Sequence, residues 1–185
     1  MTHKYEITDI QHPNNPTLFR IRALIDIPSL GVNAGDLGGY IESEWNLSQE
    51  GDSWVGGDAQ VYDGAHVFHR AHIFGNARVF KHARIFGNAQ VYDNASIYDR
   101  AKVFDNAQVR DNAQIFFNTW VSGDVVINKF MKLSVWGNIT SLNGIYYADG
   151  VTIILISNNK DMIINGIPFN SNIEHHKTLA RLKLP

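Results

Sequence analysis

Apolar and polar positions alternate through the middle of this chain, and the alternation is locked to a longer period. Val55, Val61, Val67, Ile73, Val79, Ile85, Val91, Ile97, Val103, Val109, Ile115, Val121 and Ile127 fall six apart without a gap, and Leu133 and Ile139 continue the series. Two residues ahead of them stand ten consecutive alanines, from Ala59 and Ala65 through to Ala113. Residues two apart in a strand share a face, so each hexad predicts a short strand with one small and one branched side chain turned inward. Pairs such as Asp63-Gly64, Gly75-Asn76, Gly87-Asn88 and Asp93-Asn94 follow, and predict turns in which Gly and Asn supply positive φ. A helix is excluded, because its period is about 3.6 and this composition is β-branched and rich in turn residues.

The uninterrupted hexads of residues 53–141 resemble the hexapeptide-repeat family, whose members fold as left-handed parallel β-helices with three hexads per triangular coil. The resemblance implies an all-β fold, a left-handed parallel β-helix of about five coils. Period six by itself is silent on the hand. Five coils at a strand spacing of about 4.8 Å stack to roughly 24 Å.

Open coils expose unpaired backbone groups, so both flanks are expected to act as covers. Residues 1–52 form a β-rich N-terminal cap, in which LFRIRALIDI reads as a strand and AGDLGGYIESEWNLSQEGDSWV leaves the six-residue register. Through Gly35, Gly38, Gly39, Asn46, Leu47, Ser48, Gly51 and Trp54, this stretch is similar to the lead-in segment of bacterial and phage-encoded hexapeptide proteins labelled acetyltransferases. Residues 142–185 predict strands at GIYYA, VTIILI and DMIIN, then a short helix from Ser171, whose spacing to Glu174 fits a capping box.

Composition narrows the chemistry. The chain has 185 residues, 44% hydrophobic and 18% charged, enough for one domain with its own core. It has no cysteine, which removes disulfides, thiolate metal sites and cysteine nucleophiles. No apolar run approaches the roughly 18 residues that span a bilayer, and MTHKYEITDI lacks a signal peptide's apolar segment, so a cytoplasmic protein with no membrane partner is expected. The net charge is only −2, yet residues 64–92 contain no Asp or Glu and hold His66, His69, Arg70, His72, Arg78, Lys81, His82 and Arg84. Such a window suits an anionic small molecule or an acidic protein surface, or serves simply as a solvated rim. Arg78 and Arg84 fall on successive faces and flank the corner of Lys81 and His82, an arrangement suited to a phosphate. The patch is too short for long nucleic acid.

Enzyme readings are weaker. As the resemblance implies, acyltransferases of this family use coenzyme A and place a catalytic histidine near a loop extruded from a corner. Ala59 to Ile127 contains no insertion, which leaves His69 and His82 as corner residues that are either bases or solvated turns. The γ-type carbonic anhydrases of the same fold bind zinc with three histidines across an interface. Here no histidine lies eighteen residues from another within the repeats, and His175-His176 falls in the predicted terminal helix, so neither a metal nor a cofactor is expected.

The residues following each core position are mostly aromatic. Sorted by eighteen, they form three outward ladders: Tyr62, Phe80, Tyr98 and Phe116; then Phe68, Phe86 and Phe104; then Phe74 and Tyr92, ended by Arg110. Stacked rings support adjacent coils, but apolar surface on this scale also marks interfaces. The first and second ladders are the expected contact between copies, and the family resemblance implies a trimer. Three readings compete: a non-catalytic oligomer holding an anionic, nucleotide-like ligand or a host protein in its grooves, in a phage-type accessory role against host defence; an acyl-CoA-dependent acyltransferase; and a purely structural self-assembling β-helix.

Overall fold

The computed structural model describes residues 3–129 and, beyond them, the strands Lys132–Ser134, Gly137–Ile139, Ile145–Ala148, Thr152–Leu155, Asp161–Ile164 and Ile167–Asn170. Each hexad forms a minimal strand, such as Arg78–Val79, Arg84–Ile85 or Gln90–Val91. Every third strand pairs in parallel: Val61 lies beside Val79, Val67 beside Ile85 and Val55 beside Ile73. The product is an all-β parallel solenoid of about five coils. Its three sheets are numbered by their inward residues. Face one carries Val61, Val79, Ile97, Ile115 and Leu133; face two carries Val67, Ile85, Val103, Val121 and Ile139; face three carries Val55, Ile73, Val91, Val109 and Ile127.

The core is the pattern of the sequence made solid. All ten repeat alanines, and the branched residue two positions after each, are wholly buried. Coils are tied by backbone bonds along the stack, as where the Arg78 N–H donates to the Ala95 carbonyl at 2.9 Å and the Phe80 N–H to Ile97 at 3.0 Å. Most corners close when the alanine N–H donates back to the carbonyl three residues earlier, as from Ala65 to Tyr62 at 3.2 Å.

The corners differ from expectation in one respect. Positive φ belongs to the first residue of each pair, whether Gly75 at 68°, Asp93 at 56°, His69 at 61° or Lys81 at 58°. Asn76, Asn88 and Asn106 instead sit second, with ordinary backbone angles, and their amides bond along the stack: Asn88 Nδ2 donates to Asn106 Oδ1, and Asn106 Nδ2 to Asp124 Oδ1, each at 2.9 Å. The first-position aspartates accept a backbone N–H from the next coil, as Asp93 does from Asp111 and Asp105 from Gly123, both at 3.2 Å. That bond offsets the cost of a left-handed non-glycine residue.

The N-terminal cap extends face one. Strands β1 (Tyr5–His12), β2 (Asn15–Ala23) and β3 (Leu37–Ile41) run antiparallel, and β3 then lies parallel to Gln60–Val61. β1 carries no clear strand signal in the sequence, because Asp9 and Gln11 break the apolar alternation begun by Tyr5 and Ile7. β3 comes so close to the first coil that a Cβ at Gly39 would lie 2.6 Å from the Ala59 carbonyl oxygen. The lost register of the lead-in is itself a coil: Ile41 lies beside Val61 and Leu47 bridges to Val67, with an eight-residue leg from Leu47 to Val55 in place of six.

Two buried polar residues pin this end. Asn46 is wholly buried and donates to the Asp63 and Ala65 carbonyls at 3.0 and 2.9 Å while accepting from the Ser43 N–H at 2.9 Å. Lys4 Nζ donates to the carbonyls of Ser53 at 2.8 Å and Gly51 at 3.2 Å, and burial pushes its pKa down to about 8 against the smaller pull of Asp52.

Past the solenoid, Ile145–Ala148 pairs antiparallel with Thr152–Leu155, and Asp161–Ile164 with Ile167–Asn170. Strands thus occur at GIYYA, VTIILI and DMIIN, and a fourth contains Pro168, the residue that hid it from a sequence reading. The predicted helix from Ser171 and the pair His175-His176 lie outside the described residues.

Candidate functional site

The solenoid redistributes the basic window over three faces and two corners. His72 stands on face three between Trp54 and Gln90, where burial pushes its pKa down to about 4. Arg78 stands on face one between Gln60 and Ser96. His66 and Arg84 are neighbours on face two. His69 and Arg70 make the corner between faces two and three, and His69 turns its ring back against Phe68, with centroids 4.7 Å apart. Lys81 and His82 make the corner between faces one and two, where the His82 ring packs where a Cβ at Gly64 would otherwise stand, 2.5 Å from Nδ1.

That last corner is electrically balanced. Lys81 lies between Asp63 and Asp99 of the adjoining coils: its N–H donates to Asp63 Oδ2 at 3.2 Å and its Nζ to Asp99 Oδ1 at 2.6 Å. The contact holds the Lys81 pKa up and the Asp99 pKa down. Beside it is a shallow depression of about 240 Å³ lined by Lys81, His82, Asp99, Arg100, Phe117 and Asn118. A phosphate arriving here meets a lysine that already has its counter-ion.

Face two is built differently. The outward residues that precede its core positions stack in register as His66, Arg84, Lys102 and Trp120. Beside them runs the ring ladder Phe68, Phe86 and Phe104, with centroids 5.0 and 4.9 Å apart. Neither outward column holds a carboxylate, and among the described residues no ion pair involves Arg84 or Lys102. Like charges on adjacent strands repel, and this column roots two cations on strands about 4.8 Å apart, with their heads turned to opposite ends of the stack. The same coils alternate Asp63, Lys81 and Asp99 one corner away.

Rings hold these cations at the surface. The Arg84 guanidinium lies 5.4 Å from the Phe68 ring centroid, and Lys102 Nζ sits 4.0 Å from that of Trp120. At the other end Trp45 stacks on His66 with centroids 4.7 Å apart. Burial, and then the Arg84 charge, hold the His66 pKa below the ordinary imidazole value. His66 therefore enters the column as a neutral ring.

Lys102, Trp45 and Trp120 lie outside the basic window that drew attention in the sequence. The window followed the chain, whereas the face recurs every eighteen residues, and Lys102 and Trp120 fall eighteen and thirty-six after Arg84. The ring ladders, sorted by that interval, are found as predicted: Tyr62, Phe80, Tyr98 and Phe116 stack at 5.0 to 5.1 Å on face one, and Phe74 and Tyr92 at 4.8 Å on face three.

Among the described residues, no three His, Cys, Asp or Glu side chains gather as metal ligands. No helix among them is long and apolar enough to cross a membrane. No family model matches the chain, and neither does any curated protein.

Proposed function

We propose that this chain is a non-catalytic binding module, a self-associating solenoid that holds an anionic, nucleotide-like ligand against face two. The observation that carries this reading is the stacked pair Arg84 and Lys102, without counter-ions among the described residues, on coils whose corner at Lys81 is balanced. An anion lying along the column gains charge-assisted hydrogen bonds from both. His69 and Arg70 border the same face, while Arg78 and His72 serve other faces.

The half-buried ladder of Tyr62, Phe80, Tyr98 and Phe116, with the adjoining Phe68, Phe86 and Phe104, is the surface through which copies associate. The hexapeptide-repeat resemblance, which brings left-handed winding and trimeric association with it, supports this arrangement. Similarity of the lead-in to phage-encoded proteins supports an accessory role, such as withholding an anionic signal from a host defence system.

Melting curves with nucleotides, coenzyme A derivatives and inorganic phosphate, run beside sedimentation at micromolar concentration, test the reading. Stabilisation by nucleotides without turnover is the expected result. Turnover of an acyl-CoA would make the protein an acyltransferase. No response to any anion, in a protein that sediments as a monomer, would leave neither half of the proposal standing.

A further inference from the structure

Resting on face two as an anion-binding surface, we infer that its occupant is a short single strand of nucleic acid lying along the stack, with phosphates on Arg84 and Lys102 and bases on Trp45 and Trp120. The charges are bracketed by indoles that stay accessible although His66 and Lys102 each take one ring face: Trp45 is 64% exposed and Trp120 40%. A bare phosphate has no use for them. Exposed aromatic rings beside a line of cations match the two halves of a single strand, because every base has a face to stack and every link a charge. A duplex hides its base faces and gains nothing from the rings. From Trp45 to Trp120 the column takes four steps of about 4.8 Å, roughly 19 Å in all, which accommodates a handful of nucleotides. A long strand should therefore gain little over a short one.

Tryptophan fluorescence titration at several salt concentrations tests the inference, with three probes: an oligothymidylate of about six nucleotides, thymidine monophosphate and inorganic polyphosphate. The oligonucleotide should bind about tenfold or more tighter than either other probe and quench the emission. Log K should fall against log salt with a slope of about −1.4, for two phosphates at about −0.7 each. Arg84→Gln and Lys102→Gln should each bring that slope to about −0.7, while Arg78→Gln on face one leaves it unchanged. Trp120→Ala should weaken binding about tenfold and Trp120→Phe should retain it. Circular dichroism melts separate lost binding from lost fold, and Trp45→Ala repeats the test at the other end. Polyphosphate or the monophosphate binding as tightly as the oligonucleotide would overturn the strand while leaving an anion-binding face. If none of the three binds, both readings fall.

Discussion

Faces one and two are made by one repeat and present different surfaces. Inward they are interchangeable: Val79 and Ile97 on one, Ile85 and Val103 on the other, all wholly buried. Their ring ladders are also alike, with Phe80 between Tyr62 and Tyr98 and Phe86 between Phe68 and Phe104. The difference lies in a single outward column, which reads Gln60, Arg78, Ser96 and Gln114 on face one but His66, Arg84, Lys102 and Trp120 on face two. The coil thus separates what makes the fold from what gives the surface its chemistry, and each can change without the other.

Deleting core volume gives the largest expected effect and should not distinguish the faces. Ile97→Ala and Ile85→Ala should each cost about 2–5 kcal/mol in denaturant unfolding, as buried aliphatic truncations do. A large inequality would show that the two faces do not share one core. On the order of 3 kcal/mol at most attaches to His72 on face three. Its folded pKa of about 4 lies below the ordinary 6.5, so its contribution is complete above pH 6.5 and is lost as the pH falls toward 4. His72→Gln should flatten the stability profile over that interval.

Ring truncation comes next and should begin to separate the faces. Phe80→Ala and Phe86→Ala each remove a half-buried ring from a stack, with losses of about 1–3 kcal/mol. If face one is the principal contact between copies, Phe80→Ala should shift the sedimentation coefficient more than Phe86→Ala. Smaller again is the effect of Arg84→Gln on its neighbour. Removing that cation should raise the His66 pKa toward the ordinary value while leaving His72 in place, which NMR titration of the two imidazoles reads directly. Equal shifts in both would mean that the face-two column has no local field of its own.

The solenoid was legible because its physics is one-dimensional. A strand two residues long still alternates, and fifteen core positions at constant spacing leave no rival period. The ring ladders followed from the same arithmetic. What stayed hidden were features that depend on close approach rather than periodicity. Nothing in the sequence marks Asn46 as a wholly buried plug or Lys4 as the amine that ties the first strand to Gly51 and Ser53. At the corners, Asn tolerates positive φ in general and so invites that assignment, whereas these turns put the strained residue first and use the amide to bond between coils. The candidate face was half visible: His66 and Arg84 lay inside the basic window, and Lys102 became its third rung only when residues were counted by coil.

The eighteen-residue turn carries a consequence for how such a chain can vary. Loss of a whole turn shortens every column by one rung and leaves each face its own residues. Loss of a single hexad between Arg84 and Lys102 would preserve the core spacing, since Val and Ile serve all three walls alike. Yet everything downstream would be rotated by a third of a revolution, so that Lys102 and Trp120 would leave Arg84 and join Arg78. Such a lesion would pass any assay of folding while scrambling the surface, as a combination lock does when one wheel slips.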